Sequence, residues 1–523
     1  MKNTYRKILS VWFVVCLMAT AWTISVQAEE TTKKEKGPFV YEVVEDAVVI
    51  VDCDETVKGE IVIPATIEDY PVTAIGDGAF YGCRLLTKIV IPDSVVAIGK
   101  EAFCTCKGLS SIVIPQSVAD IGANAFGECT QMTSIRVEKE NTSYCDVDGV
   151  LYSKDKTVLV RVPAGYNTAE YVIPDSVTTI GSRAFFGSTI PSVIIPESVT
   201  AIRSNAFHFC PGLTSITLPD SLTAVEYGVF SSCINLTSVT LPKALQSIGE
   251  LSFSGCARLQ EIALPATVKE IGIGAFSGCS SLTKINIPEG ITNIQERTFY
   301  RCVSLPAIEL PDSVHTIEAR AFFFCTALRT VDPGKGVISI DGEAFAGCLE
   351  LERIVLPDTL TTIGAQTFHY CRSLTAIALP ASVTLVEFGA FSGCDGLTEI
   401  TVPEGVTAIY GSTFLNCSKL AAVTLPLSVE SVAQGAFTGC VKLEDVYYAG
   451  SAADKEEIEM SDGNGAFTGA EWHFAVTEEE KPAKPSVKEE ESPEWLNTLT
   501  YLVIILVTIG LFILMFRRQR NEY

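Results

Sequence analysis

Histidine and basic side chains are scarce in this sequence. Its 523 residues include four histidines, and 38 Lys and Arg stand against 62 Asp and Glu, which gives a net charge of −24. The acidic excess disfavours nucleic acids and anionic membrane surfaces as partners, because both carry the same sign of charge. Such a charge is typical of a soluble, exposed surface, and a basic or neutral partner fits it better.

Motifs for catalysis and metal binding are also missing. The histidines are far apart, without metal-type or triad-type spacing, and no G-x-S-x-G or H-E-x-x-H motif occurs. They are His208, His315, His369 and His473. The sequence therefore predicts a protein that is not an enzyme, with no catalytic residue, no metal site and no cofactor.

The two ends are typical of an exported, anchored protein. Basic residues, an apolar run and the pattern Val26-Gln27-Ala28 predict a signal peptide over residues 1–28. Residues 496–516 carry no charge over 21 positions, enough to cross a membrane, and Arg517 and Arg518 follow them. We expect a single C-terminal transmembrane helix, a cytoplasmic tail over 517–523, and an extracellular ectodomain joined to the helix by a disordered acidic stalk, 476–495.

One phenylalanine recurs through most of the chain. Apart from a 59-residue gap before Phe185 and a 22-residue step after it, every interval is 23 residues. Fifteen copies at one period indicate a single solenoid rather than several globular domains. The column comprises Phe80, Phe103, Phe126, Phe185, Phe207, Phe230, Phe253, Phe276, Phe299, Phe322, Phe345, Phe368, Phe391, Phe414 and Phe437.

Each repeat predicts the parts of one coil. An alternating segment such as LTSITLP, starting at Leu213, indicates a half-buried strand that ends at its proline. A second short apolar pair follows, and then Ala-Phe-x-x-Cys has the spacing of one helical turn. A lone coil leaves its apolar side chains uncovered, so coils must stack, at roughly 4.8 Å each. The predicted fold is an α/β repeat: a parallel β-solenoid of about 15–16 coils.

A cysteine follows the phenylalanine by three positions in most copies. In an exported protein this pattern favours a disulfide framework, but side chains in one column point alongside each other, and the fourth copy has Ser188 instead. We predict buried free thiols acting as small apolar groups. Fourteen of the 18 cysteines belong to the column: Cys83, Cys106, Cys129, Cys210, Cys233, Cys256, Cys279, Cys302, Cys325, Cys348, Cys371, Cys394, Cys417 and Cys440.

The repeat, for example LTSITLPDSLTAVEYGVFSSC, resembles the BspA-like leucine-rich repeats of bacterial and some protist surface proteins. The resemblance covers about residues 39 to 474. It implies a curved leucine-rich-repeat solenoid and a role in adhesion to host extracellular matrix, host cells or other microbial cells. It implies no catalytic residues, because the shared motif is a framework motif.

Three segments depart from the period. Residues 39–79 are expected to form an N-terminal cap and first coil, 80–443 the solenoid, and 444–475 a C-terminal cap. An insertion at 138–170 contains two β-rich runs flanking a polar turn, which predicts a hairpin that projects from the solenoid. Such a hairpin is either a binding finger or a tolerated surface feature.

Candidate binding residues lie outside the predicted core. One set occupies exposed positions of the first strand, because solenoids bind through extended β surfaces: Thr217, Thr240, Asn286, Glu309, Thr401 and Thr424. The alternative is an aromatic patch beside the phenylalanine column: Phe209, Tyr300, Phe323, Phe324 and Tyr370.

The favoured function is cell-surface adhesion or protein-protein recognition, with an extracellular protein or glycan as partner and the membrane contacted by one helix. A structural surface spacer is the first alternative. An exported polysaccharide-active enzyme is the second, since parallel β-helices use clustered carboxylates for that chemistry. Glu309 and Asp332 lie one coil apart, yet Asn286 and Val355 flank them, so no acidic cleft is predicted. The sequence assigns no oligomeric state.

Overall fold

The structure is a computed structural model, and it describes residues 33–475. The predicted signal peptide (1–28), stalk (476–495), transmembrane helix (496–516) and tail (517–523) lie outside the described residues. Within 33–475, no helix is long and apolar enough to cross a membrane.

Successive coils stack in parallel with their repeat positions aligned. Ser215 pairs with Ser238, and Thr217 with Thr240, so the register equals the 23-residue repeat. In most coils the second strand pairs in the same way, as Ser247 does with Glu270. These two columns are called here the first ladder and the second ladder. The predicted parallel β-solenoid is confirmed.

The first ladder carries the segment that ends at the proline. Its strands are Gly59–Val62, Leu86–Val90, Ser111–Ile114, Ser134–Val137, Tyr171–Val172, Val193–Ile194, Ser215–Thr217, Ser238–Thr240, Glu261–Ile262, Lys284–Ile285, Ala307–Glu309, Thr330–Asp332, Arg353–Ile354, Glu399–Thr401, Ala422–Leu425, Asp445–Tyr448 and Glu471–Phe474.

The second ladder carries the shorter segment that precedes the Ala-Phe turn. Its strands are Tyr70–Ile75, Ala97–Ile98, Asp120–Ile121, Thr179–Ile180, Ala201–Ile202, Ala224–Val225, Ser247–Ile248, Glu270–Ile271, Asn293–Ile294, Thr316–Ile317, Ser339–Ile340, Thr362–Ile363, Leu385–Val386, Ala408–Ile409, Ser431–Val432 and Glu459–Met460.

The remaining elements belong to the two ends and the insertion. At the N-terminus they are Lys34–Lys36, Phe39–Val44, Ala47–Cys53 and Thr66–Ile67; in the insertion, Tyr144–Val147, Val150–Ser153 and Val158–Arg161. Helices Ala452–Glu456 and Gly465–Thr468 lie near the C-terminal end. Ser451 begins the first of them with a capping box to Asp454.

The phenylalanine column forms the core. Adjacent rings stack with centroids 4.6–5.9 Å apart, except across the insertion. Phe467, from the second helix, extends the stack at 4.3 Å from Phe437. Because every ring is buried against the coils on either side, the column binds each coil to its neighbours.

The cysteine column lies beside it and is buried as predicted. From Cys106 onwards each column thiol has a specific role, which the sequence did not reveal: it donates to the carbonyl of a phenylalanine in the preceding coil, whereas Cys83 donates to Asp54 O. Cys256 Sγ lies 3.2 Å from Phe230 O, and Cys279 Sγ 3.2 Å from Phe253 O. Burial raises the pKa of Cys279 to about 12, so this thiol stays protonated and remains a donor at neutral pH.

The insertion does form a hairpin, because Val150–Ser153 pairs antiparallel with Val158–Arg161. However, the expectation that it projects from the solenoid is wrong. Leu151, Tyr152 and Leu159 are buried in the core, and Val158–Arg161 pairs in parallel with Thr179–Ile180. The insertion is a modified coil on which the following coils stack.

Candidate functional site

The exposed positions of the first ladder follow each other in a row that is interrupted where neighbouring coils form separate sheets, as at residues 376–378. In Ser215–Thr217 the isoleucine is buried while its two neighbours face solvent, because side chains alternate along a strand. The same alternation in each coil places Thr217 beside Thr240, Glu309 beside Asp332, and Thr401 beside Thr424. Thr217 and Thr424 are nine coils apart, roughly 43 Å at the usual strand spacing.

Four threonines of this row have free hydroxyl groups. Many other threonines donate their Oγ1 to the preceding coil, as Thr237 does to Thr214 O at 2.9 Å. Within the described coils, the hydroxyls of Thr217, Thr240, Thr401 and Thr424 make no such bond, and all four residues are exposed. Their hydroxyls are therefore available to a ligand.

Asn286 has a structural role instead. Its Nδ2 donates to Leu264 O at 2.8 Å, and its Oδ1 accepts from Leu264 N at 2.8 Å. The strand of this coil ends at Ile285, so the amide replaces backbone pairing with the preceding coil. Both polar atoms of the Asn286 amide are used in hydrogen bonds within the ladder, which makes this residue a weaker candidate for recognition than the threonines.

Glu309 and Asp332 line a shallow groove of about 490 Å³. Lys335 and Arg353 line the same groove, so cations accompany the two carboxylates. Asp332 also accepts from the backbone of Gly334 at 3.1 Å. The structure thus brings the predicted pair together, but in a mixed-charge setting rather than an acidic cleft.

A larger groove of about 560 Å³ lies at the C-terminal end of the row. Thr401, Thr424, Tyr447 and His473 follow each other in register along it. Phe474 lines it as well. These five residues define what is called here the C-terminal groove.

Aromatic surface distinguishes the C-terminal groove from the rest of the row. The Tyr447 and His473 rings stack with centroids 4.7 Å apart. Tyr447 is 45% exposed and Phe474 is 37% exposed. Hydroxyl groups beside flat rings provide both hydrogen bonding and stacking to a ligand.

Sequence reasoning missed the three aromatic members of the groove. Tyr447 lies 23 residues after Thr424, so the repeat period alone could have identified it. His473 follows by 26 residues, because the two helices lengthen the last coil. Within residues 444–475, which we predict to be the C-terminal cap, Glu471–Phe474 adds one more strand to the first ladder.

Near the groove, His473 also contacts acidic residues. Its Nε2 lies 2.7 Å from Asp445 Oδ1, and ligand atoms of Asp445, Glu471 and His473 lie within 4.8 Å of one another. Three such groups could hold a divalent cation. The hydrogen bond to Asp445 by itself accounts for the ring's orientation.

The predicted aromatic patch is divided in the structure. Tyr300, Phe323 and Phe324 come together: Tyr300 stacks on Phe323 with centroids 5.2 Å apart, and Phe323 contacts Phe324 at 4.7 Å. Phe209 lies near Phe186, at 6.4 Å, and Tyr370 contacts His369, at 4.0 Å. The five residues therefore do not form one surface.

Three of these aromatics have an unusual backbone. Phe209, Phe324 and Tyr370 have φ values of 54°, 55° and 58°. This left-handed region is strained for bulky residues. The coil after Phe324 has Gly347 at the equivalent position, which leaves room for the Phe324 ring. The rings thus pack along the stacked Ala-Phe turns of successive coils, which gives a structural reason for their presence.

The two histidines that share a repeat position are also committed to packing. His208 stacks on Phe186 with ring centroids 5.4 Å apart, and His369 Nδ1 lies 3.0 Å from Ser392 O. Burial lowers the pKa of both imidazoles, which favours their neutral forms. Neither lies near the C-terminal groove.

Comparison with protein families gives one match. The model of the family described as BspA type leucine rich repeat region (six copies) matches residues 61–147, 164–272, 247–371 and 338–457. Together these residues make up more than half of the chain. A search of curated proteins finds no match.

Several solved structures are similar. A leucine-rich repeat protein from Bacteroides ovatus is 26% identical, with 85% of this chain and 100% of that chain covered and a TM-score of 0.48. A leucine rich cell surface protein from Faecalibacterium prausnitzii is 25% identical, with 83% and 100% covered and a TM-score of 0.40. The pneumococcal vaccine antigen PcpA is 18% identical, with 60% and 94% covered and a TM-score of 0.35.

Proposed function

From the premise that the chain belongs to the BspA-type leucine-rich repeat family, we propose that it is a cell-surface recognition protein that mediates adhesion. Its ligand is an extracellular protein or glycan, and the first ladder is the binding face. The observation that carries this proposal is the C-terminal groove, where the free hydroxyls of Thr401 and Thr424 lie in register with Tyr447 and His473.

The chemistry of the row fits repeated, individually weak contacts. Threonine hydroxyls both donate and accept hydrogen bonds, and Tyr447 offers an aromatic face with a phenolic group at its edge. A surface roughly 43 Å long contacts several units of a fibrous protein or a polysaccharide at once. Linked contacts of this kind raise the overall affinity without any single strong site.

Location at the cell surface is part of the same proposal. It rests on the family and on the sequence prediction of a signal peptide over 1–28 and a transmembrane helix over 496–516. In this arrangement the solenoid faces the outside, and the acidic excess of the chain, which has a net charge of −24 overall, favours its solubility there. We propose no catalytic activity, in keeping with a repeat whose motif is a framework.

The proposal is tested by binding of the full-length chain to a panel of matrix proteins and glycans. A double variant, Thr424→Ala with Tyr447→Ala, should weaken binding to the selected ligand at least tenfold. Thr407→Ala is the matched control, because Thr407 is exposed but lies next to the second ladder, and it should bind like the parent. Equal binding by all three proteins would assign the ligand to another face of the solenoid. No binding to any member of the panel would favour the alternative function, a structural surface spacer without a specific ligand.

A further inference from the structure

The modified coil at the insertion leaves a gap in the solenoid. In regular coils, turn N–H groups donate to the next coil, as Glu101 N does to Ala123 O at 3.1 Å and Phe103 N to Ala125 O at 2.8 Å. After Val158–Arg161 the chain passes directly to Pro163 and makes no Ala-Phe turn. Among residues 33–475, the N–H groups of Asn124 and Phe126 consequently have no acceptor.

Arg161 extends into the space of the missing turn. It is only 5% exposed. Its Nη1 donates to Arg183 O at 2.7 Å and its Nη2 to Phe126 O at 3.1 Å, so it links the coils on either side of the gap. Its Nε is buried and has no hydrogen-bond partner.

The charge of Arg161 is not neutralised by the protein. No carboxylate in the described part of the chain forms an ion pair with this guanidinium. Burial lowers the pKa of Arg161 to about 10, which leaves it cationic at neutral pH. Burying an unpaired charge is unfavourable, because the protein interior solvates it less well than water does.

A cavity of about 160 Å³ lies beside this group. Its lining includes Asn124, Phe126, Arg161, Ser182 and Arg183. Ser182 is exposed and forms part of the opening, whereas Arg161 lies inside. A cavity of about 150 Å³ is large enough for a ring of benzene size, so this one admits a small polyatomic ion but no polymer.

The cationic groups of the lining are suited to negative charge, whereas the buried Asn124 Oδ1 is an acceptor without a hydrogen-bond partner. Arg161 presents an unused N–H and a full positive charge, Arg183 adds a second cation, and the unpaired N–H groups belong to residues of the same wall. The carboxylate of Glu101 is also nearby, and its Oε1 accepts a hydrogen bond from Asn124 Nδ2 at 3.3 Å. Charge-assisted hydrogen bonds from such donors are the usual means of holding an oxyanion.

We propose that this cavity is a binding site for one small oxyanion of the phosphate or carboxylate class, held by Arg161 together with the unpaired backbone N–H groups of the preceding coil. The anion neutralises the buried guanidinium and completes the hydrogen bonding that the missing turn leaves open. Its binding strengthens the junction between the coils before and after the insertion. This site is independent of the recognition face proposed above.

Thermal unfolding and calorimetry of the full-length chain provide the test, with inorganic phosphate as the probe. Phosphate should raise Tm in a saturable way and give a measurable Kd, while potassium chloride of equal ionic strength should not. In Arg161→Met the saturable response should disappear. Arg329→Gln should retain it, because Arg329 is exposed and pairs with Glu350, several coils beyond the cavity. No saturable response in the parent, or a full response in Arg161→Met, would overturn the proposal.

A second measurement keeps the proposal testable if Arg161→Met does not fold. Crystals of the unaltered protein soaked in selenate should show an anomalous peak in the cavity beside Arg161 Nε. A cavity that contains only water at a saturating selenate concentration would rule the site out.

Discussion

Replacing Phe276 by alanine tests how much one ring contributes to the solenoid. Phe276 is 0% exposed and stacks between Phe253, at 5.5 Å, and Phe299, at 5.8 Å. A buried Phe to Ala change costs about 3–5 kcal/mol. Each lost ring contact adds roughly 0.5–1.5 kcal/mol beyond area burial. Since the two terms overlap, we expect a loss of about 4–5 kcal/mol in the free energy of unfolding.

Urea unfolding followed by circular dichroism measures this loss, with Phe388→Ala as the control. Phe388 is 50% exposed, and its removal should cost about 1 kcal/mol or less. Repeat proteins can unfold in segments, so Phe276→Ala should also expose the adjacent coils to hydrogen exchange first. A loss below about 1 kcal/mol for Phe276→Ala would refute the stacked-column explanation of stability.

Other predictions follow from single residues. Because burial raises the pKa of Cys279 to about 12, folding protects its protonated form. The associated stability is complete below the unfolded thiol pKa of about 8.5 and is lost as pH rises toward 12; urea midpoints independent of pH above 9 would contradict this. Gly347→Ala should destabilise by about 1–3 kcal/mol, because φ is 76° and the added Cβ would lie 2.8 Å from the Phe324 ring. Gly465→Ala, with no atom within 4 Å, is its control in thermal melts and should leave Tm nearly unchanged. Asn286→Ala should cost about 1–2 kcal/mol in urea unfolding by removing two hydrogen bonds to the preceding coil, and an unchanged midpoint would argue against its structural role.

The repeat made most of the fold predictable, because a fixed period translates directly into aligned positions in space. The register of Ser215 with Ser238 is the 23-residue spacing of the sequence. The same spacing predicts that Thr401 lies beside Thr424, as it does in the structure. Burial of the phenylalanine and cysteine columns followed from the same reasoning.

Features outside the period could not be derived in this way. The runs at 150–153 and 158–162 have the pattern of a hairpin. The pattern does not show which faces of these strands are buried against neighbouring coils. Leu159 is buried in the core, and its backbone pairs with Ile180 of the next coil. Likewise, the position of His473 in the first ladder depends on the number of residues that the two helices add to the last coil. Arg161 gave no signal in the sequence, since its environment is created by a missing turn.

Native thiol titration shows whether equivalent positions of consecutive coils stack into an enclosed core and leave recognition to the outer face. Among the described cysteines, we expect the partly exposed Cys145 to react first. The fourteen column thiols should react only after denaturation. Rapid labelling of column thiols such as Cys256 in the native chain would contradict this expectation.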